Sequence, residues 1–322
     1  MKHARAFACI VASAIFLALP AVSARAEDTL KLAIGQRGNW DTAITELGQR
    51  AGIFKKHGIV LDMLYTSGGG ETQQAVISGS VDVGTAAGVM GVLSAFSKGA
   101  PVRILGAQAT GAADFWYART NSGINSLKDT DGKTIAYSTN GSSTHSIVLA
   151  FIKDFSLKAK PTATGSPSST LTQVMSGQID VGWSSPPFGF KQMDEGAIKI
   201  IARANDAPLV RGQTIRLVIT NPDTIAKRKD ALVRFMDAYR EAIDYMYGDS
   251  PQVLKDYAEF AGVSEAVAKR VRDEFFVKSL LDPDEIKGID QIVPEAVTLK
   301  YTAAPLTKEQ LNELIQIPPR KK

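Results

Sequence analysis

The chain has little of the chemistry that most enzymes use. It contains one cysteine, Cys9, and three histidines in 322 residues. Cys9 lies in a segment that we expect to be removed, so the mature chain has neither a disulfide nor a thiol nucleophile. Only His57 and His145 then remain, which argues against a zinc site built from histidines. Residues 131–134 end like a phosphate-binding loop, but Leu127 stands where that loop needs its first glycine. We therefore predict no cofactor, no metal and no catalytic residue.

The sequence also lacks a large excess of one charge, and its one marked apolar run, near the start, is short. The apolar run Ala8–Pro20 follows a charged start, and Ala24-Arg25-Ala26 supplies small residues for cleavage. This pattern predicts a signal peptide over residues 1–26, cleaved after Ala26, and a retained N-terminal anchor is the alternative. The formal net charge of +4 includes three basic residues of that segment, so the mature chain is nearly neutral. Near neutrality argues against a nucleic-acid partner.

One stretch of the chain occurs twice. Ile77–Thr85 reads ISGSVDVGT, and 98 positions later Met175–Trp183 reads MSGQIDVGW. Each copy is typical of a helix that ends at a glycine, a short strand, and a loop of small residues. The repeat predicts two similar β-α-β-α-β lobes. Because ligands bind beyond the carboxyl ends of the strands in such sheets, two facing lobes predict a binding cleft.

The order of the predicted elements extends this architecture. An apolar stripe predicts one helix over Thr42–Lys56, and residues 221–223 open an all-helical remainder. The best helix there has an apolar face, formed by Leu232, Phe235, Met236, Tyr239, Ile243 and Met246. Crossings at 110–119 and 210–218 predict a two-strand hinge. The predicted fold class is α/β, with a first lobe over 27–112 and 216–322, a second over 113–215, and a helical C-terminal region.

A small polar segment is the predicted anion site. Asn140-Gly-Ser-Ser-Thr-His145 lies between a strand end and a helix start, where backbone N–H groups have no intrahelical partner. Those N–H groups and the helix dipole favour a negative charge. We predict ligand contacts from Asn140, Ser142, Ser143 and Thr144, whereas an ordinary N-cap is the alternative. The role of His145 stays open.

All three tryptophans fall at predicted edges of the cleft. Trp40 is in the first loop, Trp116 is near the hinge, and Trp183 ends a strand. They predict an aromatic-lined pocket for an anion with a flat or apolar body, although core packing is the alternative for each. The remaining predicted contacts are in loops beside these elements: Asn39, Ser67, Gly68, Thr85 and Ser184. Asp82 and Asp180 are predicted to bind local backbone, and contacts from Arg37 and Arg216 stay open.

Several motifs resemble the nitrate/sulfonate/taurine group of periplasmic substrate-binding proteins of ABC importers. The motifs are Ala51–Gly58 (AGIFKKHG), Ser78-Gly79 with Asp82-Val83-Gly84, Gly132-Lys133 and Gly141–His145 (GSSTH), and the resemblance extends to about residue 250. It implies a two-lobed periplasmic binding protein fold of type II that closes on a solute.

The same resemblance leads us to expect a function in solute transport. It implies a monomer in the periplasm that binds a small organic anion, either a sulfonate or a carboxylate, and delivers it to an ABC permease in the inner membrane. The alternatives are an enzyme on the same two-lobed fold and a ligand-sensing partner of a membrane receptor. The ligand itself is not identified by the sequence.

Overall fold

Two five-stranded sheets form the framework of the protein. A computed structural model describes residues 27–320, and the predicted signal peptide lies outside these described residues. The first sheet contains β1 (Asp28–Gly35), β2 (Ile59–Thr66), β3 (Val83–Gly88), β4 (Arg103–Thr110) and β10 (Thr214–Thr220). The second contains β5 (Phe115–Arg119), β6 (Thr134–Tyr137), β7 (Lys160–Ala163), β8 (Val181–Ser184) and β9 (Ile198–Arg203).

The two sheets share one plan. The strand orders are β2-β1-β3-β10-β4 and β7-β6-β8-β5-β9. In each sheet four strands run in one direction, and the fourth strand in the order runs antiparallel to both of its neighbours. That antiparallel strand is the one that follows a crossing between the sheets. The predicted α/β class with two similar lobes is confirmed, and β10 begins just before the predicted boundary at residue 216.

Helices cover both sheets. They are α1 (Ile44–Arg50), α2 (Ile53–Lys56), α3 (Gly69–Ile77), α4 (Val89–Ser97), α5 (Ser143–Asp154), α6 (Pro167–Met175), α7 (Phe190–Asp194), α8 (Pro222–Met246), α9 (Gln252–Ala261), α10 (Glu265–Arg270), α11 (Ile289–Thr298) and α12 (Lys308–Leu314). The C-terminal helices pack on the first sheet and its helices. No helix in residues 27–320 is both long and apolar enough to cross a membrane.

The repeated aspartates have the same structural role in both lobes. The Asp82 carboxylate accepts a hydrogen bond from the backbone N–H of Lys31 in β1 at 2.8 Å. The Asp180 carboxylate accepts one from the backbone N–H of Thr134 in β6 at 2.9 Å. Since β1 and β6 are equivalent strands, each aspartate ties the start of its repeat to the neighbouring strand. Both bind backbone N–H groups, as predicted, but these groups lie 51 and 46 positions away on a neighbouring strand and are not local in the sequence.

Repeated threonines form a second matched contact. The hydroxyl oxygens of Thr66 and Thr72 are 2.8 Å apart, and those of Thr164 and Thr170 are 2.6 Å apart. Each pair joins the end of one strand to the helix that follows it. The residues repeated in the sequence therefore make equivalent contacts within each lobe.

The helix predicted over Thr42–Lys56 is wrong in one respect. The structure divides it into α1 and α2, because Gly52 adopts a left-handed conformation with φ of +73° between them. Ile44, Leu47 and Phe54 are buried as the apolar stripe predicts, whereas Ala51 is exposed. The break turns the short second helix back toward α8.

The long helix α8 follows the prediction closely. All six residues of its predicted apolar face are buried. Its first turn is capped by Asn221, whose side-chain oxygen accepts from the backbone N–H of Thr224 at 2.8 Å. Capping by asparagine satisfies an N–H that has no intrahelical partner.

Candidate functional site

The chain crosses between the two sheets twice, and the crossings are bonded to each other. One crossing joins β4 to β5 and the other joins β9 to β10. The backbone N–H of Gly111 in the first donates to the carbonyl of Gln213 in the second at 2.8 Å. The N–H of Ala112 donates to Asn205 Oδ1 at 3.2 Å. The lobes therefore meet at a paired connection of the kind that serves as a hinge.

The start of α5 is organised by its own hydroxyl groups. Ser142 is the N-cap, and its side chain accepts from the backbone N–H of His145 at 3.2 Å. Thr144 Oγ1 accepts from the backbone N–H of Ser138 at 2.9 Å. Asn140 Oδ1 accepts from the Tyr137 hydroxyl at 2.6 Å. The backbone N–H groups of Ser143 and Thr144 have no acceptor within residues 27–320.

Glycines of the first lobe lie directly against this helix start. A Cβ added at Gly70 would be 2.0 Å from the carbonyl oxygen of Asn140, and one at Gly91 would be 2.2 Å from that of Gly141. A Cβ at Gly88 would be 2.6 Å from Ser143 N. We call this contact the glycine seam; it comprises Gly68, Gly70, Gly88 and Gly91 of the first lobe and residues 138–143 of the second.

The seam also carries a hydrogen bond between the lobes. The backbone N–H of Gly70 donates to Thr139 Oγ1 at 3.0 Å. A Cβ added at the predicted contact Gly68 would be 2.7 Å from the same hydroxyl oxygen. The lobes are therefore closed on each other in this structure, with backbone against backbone.

A buried arginine lies beside the seam. Arg216 on β10 is 4% exposed. Its Nη1 donates to Asp41 Oδ2 at 2.5 Å, and its Nη2 donates to both carboxylate oxygens of Asp114, at 2.6 and 2.8 Å. Its Nε donates to Ser143 Oγ at 3.2 Å. The sequence left the role of Arg216 open and did not single out Asp41 or Asp114.

Two carboxylates share this single guanidinium. Burial raises the pKa of Asp114, the positive charge of Arg216 lowers it, and the negative charge of Asp41 raises it again. The net direction is upward. Two features of the sequence could have pointed to these carboxylates. Asp41 directly follows Trp40, and Asp114 lies at a predicted crossing between the lobes.

The three tryptophans are all fully buried. Trp40 donates its N–H to the Tyr247 hydroxyl at 3.0 Å and packs edge-on against Tyr257. Trp116 donates its N–H to the carbonyl of Ala136 at 2.8 Å and packs on a phenylalanine of α5. Trp116 thus lies inside the second lobe.

Trp183 differs from the other two because its N–H has no acceptor within residues 27–320. The Thr85 hydroxyl is also buried and without a partner there. Asn39 donates its side-chain N–H to Gln36 Oε1 at 3.3 Å, but its Oδ1 receives no hydrogen bond from the described residues. Each of these three predicted contact residues therefore has one buried polar atom without a hydrogen-bond partner among the described residues.

The other predicted contacts are occupied locally. Ser67 donates its backbone N–H to Glu71 Oε2 at 2.9 Å, and Ser184 donates its hydroxyl to the carbonyl of Phe188 at 3.0 Å. Arg37 lies over the ring of Phe260, with 4.7 Å from its Cζ to the ring centre. All the site residues named from the sequence stay predictions.

His145 joins the second lobe to the C-terminal region. Its ring stacks on Tyr137, with 4.3 Å between ring centres. Its Nδ1 lies 3.2 Å from the backbone N of Gly141 and 3.0 Å from the Tyr301 hydroxyl, and both groups can donate to it. Burial lowers the pKa of His145 to about 4. The neutral imidazole is the form that fits these contacts.

Two α/β lobes around a closed cleft define the class: this is the periplasmic binding protein fold. The alkanesulfonate-binding protein SsuA from Xanthomonas axonopodis pv. citri bound to MOPS shares it, with a TM-score of 0.72, 16% identity, and coverage of 90% of this chain and 98% of that one. The nitrate-binding protein NrtA from Synechocystis PCC 6803 has a TM-score of 0.71, 12% identity, and coverage of 91% and 86%.

The family follows from the sequence match. Residues 39–252 match the NMT1/THI5 like family, and the chain belongs to that family. A curated relative, 4-amino-5-hydroxymethyl-2-methylpyrimidine phosphate synthase THI5 of Saccharomyces cerevisiae, is 24% identical over 229 residues. The match covers 66% of this chain and 66% of the length of that relative.

Proposed function

We propose that the chain is an extracytoplasmic solute-binding protein that closes on a small organic anion. The observation that carries the proposal is a set of hydrogen-bond donors without partners among the described residues, at the start of α5, on β3 and on β8. The N–H groups of Ser143 and Thr144, the Thr85 hydroxyl and the Trp183 N–H lack acceptors within residues 27–320. Buried donors without partners are costly, and a sulfonate or carboxylate offers several acceptor oxygens to such groups.

A second feature favours an organic anion over a simple inorganic one. Asn39 Oδ1 is a buried acceptor without a donor among the described residues. A ligand with an N–H or O–H group satisfies it, whereas nitrate has no hydrogen to donate at neutral pH. Trp183, near the end of β8, would offer an apolar ring for the ligand body. Pockets for small molecules typically combine apolar walls with a few polar groups in this way.

The proposed role of the complex is delivery to an ABC permease in the inner membrane. Sulfonate- and nitrate-binding proteins with the same fold support this role, and so does the charged and apolar start of the sequence. The protein would then act in the periplasm as a monomer with residues 1–26 removed. In the ligand-bound state, solute contacts add to the contacts that already join the lobes.

Native mass spectrometry of the purified protein tests the proposal first, since a co-purifying solute can be identified by its mass. Calorimetry with that solute then compares Thr85→Val with Thr45→Val. Both threonines are buried and have hydroxyls without partners among the described residues, but Thr45 lies on α1 in the first lobe.

A hydrogen bond to a charged group contributes about 1.5–3 kcal/mol. Thr85→Val should therefore weaken binding roughly ten- to a hundredfold, whereas Thr45→Val should bind like the wild type. Neither substitution should reduce stability, because each replaces an unsatisfied hydroxyl with a methyl group of similar size. Equal affinities in all three proteins would remove Thr85 from the site, and a bound cation would contradict the anion proposal.

The alternative function is an enzyme on the same fold, and the yeast relatives, which are synthases, favour it. The mass measurement separates the two functions. A binding protein returns its solute unchanged after incubation, whereas an enzyme returns a product of different mass.

A further inference from the structure

We infer that Arg216 is a latch between the lobes: it holds the closed state by binding Asp114 and Ser143 across the cleft, and it is not the counter-ion of the solute. The inference depends on the proposed binding function only for the purpose of closure, which is to hold a solute. Its scattering and hydrogen-exchange readouts need no solute, so the two proposals can fail separately.

The partners of Arg216 belong to different lobes. Arg216 is part of the first sheet, where it pairs with Gly88 and Ala109. Asp41 follows β1 in that same lobe. Asp114 precedes β5 of the second sheet, and its carbonyl accepts from the backbone N–H of Ala204 at 2.9 Å. One partner therefore moves with Arg216 when the lobes separate, whereas Asp114 does not.

Ser143 is the second partner across the cleft, since it is the first residue of α5. All three nitrogens of the guanidinium are engaged: Nη1 by Asp41, Nη2 by Asp114 and Nε by Ser143. The Arg216 side chain is 5% exposed, and both carboxylate side chains are fully buried. An anionic solute would have to displace one of these carboxylates to reach the guanidinium.

Asp41 makes the latch reversible. When the lobes open, Arg216 keeps one carboxylate beside it, so no lone charge stays buried in the first lobe. Asp114 is then free to be hydrated. Breaking a buried ion pair is costly when one charge is left without a partner, and this arrangement avoids that cost. Closure, by contrast, gains two bonds to the guanidinium from Asp114 and one from Ser143.

The decisive comparison is Asp114→Asn against Asp41→Asn. The two substitutions are isosteric and remove a carboxylate from the same guanidinium, but only the first weakens a contact between lobes. Small-angle X-ray scattering of the mature protein without added solute should show a larger radius of gyration for Asp114→Asn. Asp41→Asn should match the compact wild type.

Hydrogen exchange supplies a second readout that a purely structural role would not change. The Gly70 N–H is protected by its bond to Thr139 across the seam. Peptides that contain Gly70 should exchange at least tenfold faster in Asp114→Asn, with unchanged exchange in β1. Glu295→Gln is the control for an ordinary interlobe ion pair, because Glu295 pairs with Lys153 at the partly exposed surface. It should leave both readouts unchanged.

The outcomes distinguish the latch from a counter-ion role. If Arg216 were the counter-ion of an anionic solute, Asp114→Asn would bind the solute more tightly and scatter like the wild type. That result overturns the inference, and so does a wild-type protein that is already open without solute. If Asp114→Asn fails to melt cooperatively, Ser143→Ala takes its place, and the same two readouts apply.

Discussion

The glycine seam permits a test that separates closure from folding. Gly70 lies in the first turn of α3, and its φ is not in the left-handed region. Alanine favours a helix over glycine by roughly 0.5–1 kcal/mol. Gly70→Ala should therefore leave the first lobe as stable as the wild type or slightly more stable.

The same substitution should make closure of the two lobes less favourable. The added Cβ would lie 2.0 Å from the carbonyl oxygen of Asn140. Contacts of this kind relax only at about 3.2 Å or more, so the lobes must move apart by roughly 1 Å at the seam. A radial gap of that size forfeits a quarter to a half of each dispersion contact along the seam. It also lengthens the Gly70–Thr139 hydrogen bond beyond its useful range.

Loss of the closed state lowers the apparent affinity in proportion to its population. If closure becomes less favourable by about 1.4–2.7 kcal/mol, the solute should bind roughly ten- to a hundredfold more weakly. Calorimetry and scattering measure the two effects on one sample. Gly248→Ala is the control, because its Cβ would make only ordinary contacts at 3.5 Å. A Gly70→Ala protein that binds and scatters like the wild type would refute the reasoning.

Two further predictions concern His145 and Trp183. The pKa of His145 is about 4 in the folded protein and about 6.5 when unfolded, so stability is full above pH 6.5 and falls as the pH drops toward 4. Allowing for partial exposure, urea unfolding should show a loss of about 1–2 kcal/mol between pH 7 and pH 4.5. His145→Gln should be nearly free of this loss, and an equal loss in both proteins would exclude His145 as its source. Trp183→Phe should reduce the solute-induced change in tryptophan fluorescence, whereas Trp116→Phe should retain it in full; the reverse pattern would place the ligand beside Trp116.

Local pattern was enough to predict most of the framework. The strands and the face of α8 depend on residues close together in the chain, and the matched positions of Asp82 and Asp180 follow from the repeat itself. The helix break at Gly52 was missed because an isolated glycine is tolerated within an amphipathic pattern. Periodicity alone does not show where such a glycine turns left-handed.

The charged part of the site could not be predicted in the same way. Arg216 meets Asp41 across 175 positions, Asp114 across 102 and Ser143 across 73. No local spacing brings these residues together; the crossings between sheets do. The tryptophans illustrate the same limit, since aromatic residues at strand ends suit both a cleft and a core. Tyr247 and Tyr257, which surround Trp40, come from the helical C-terminal region, where the sequence predicted no contact with Trp40.

The repeat itself shows which positions serve the scaffold and which serve closure. Asp82 and Asp180 are identical because both lobes must fasten a strand to its neighbour. At the seam the copies differ: Gly70 of α3 corresponds, 98 positions later, to Ser168 of α6. A seam joins two unlike surfaces, so identical lobes would not fit one another there. The first lobe contributes glycine backbone, which has no side chains, and the second lobe contributes the hydroxyl groups of Ser138 and Thr139. Substitutions at the matched positions should therefore change lobe stability, and substitutions at the diverged positions should change closure and affinity.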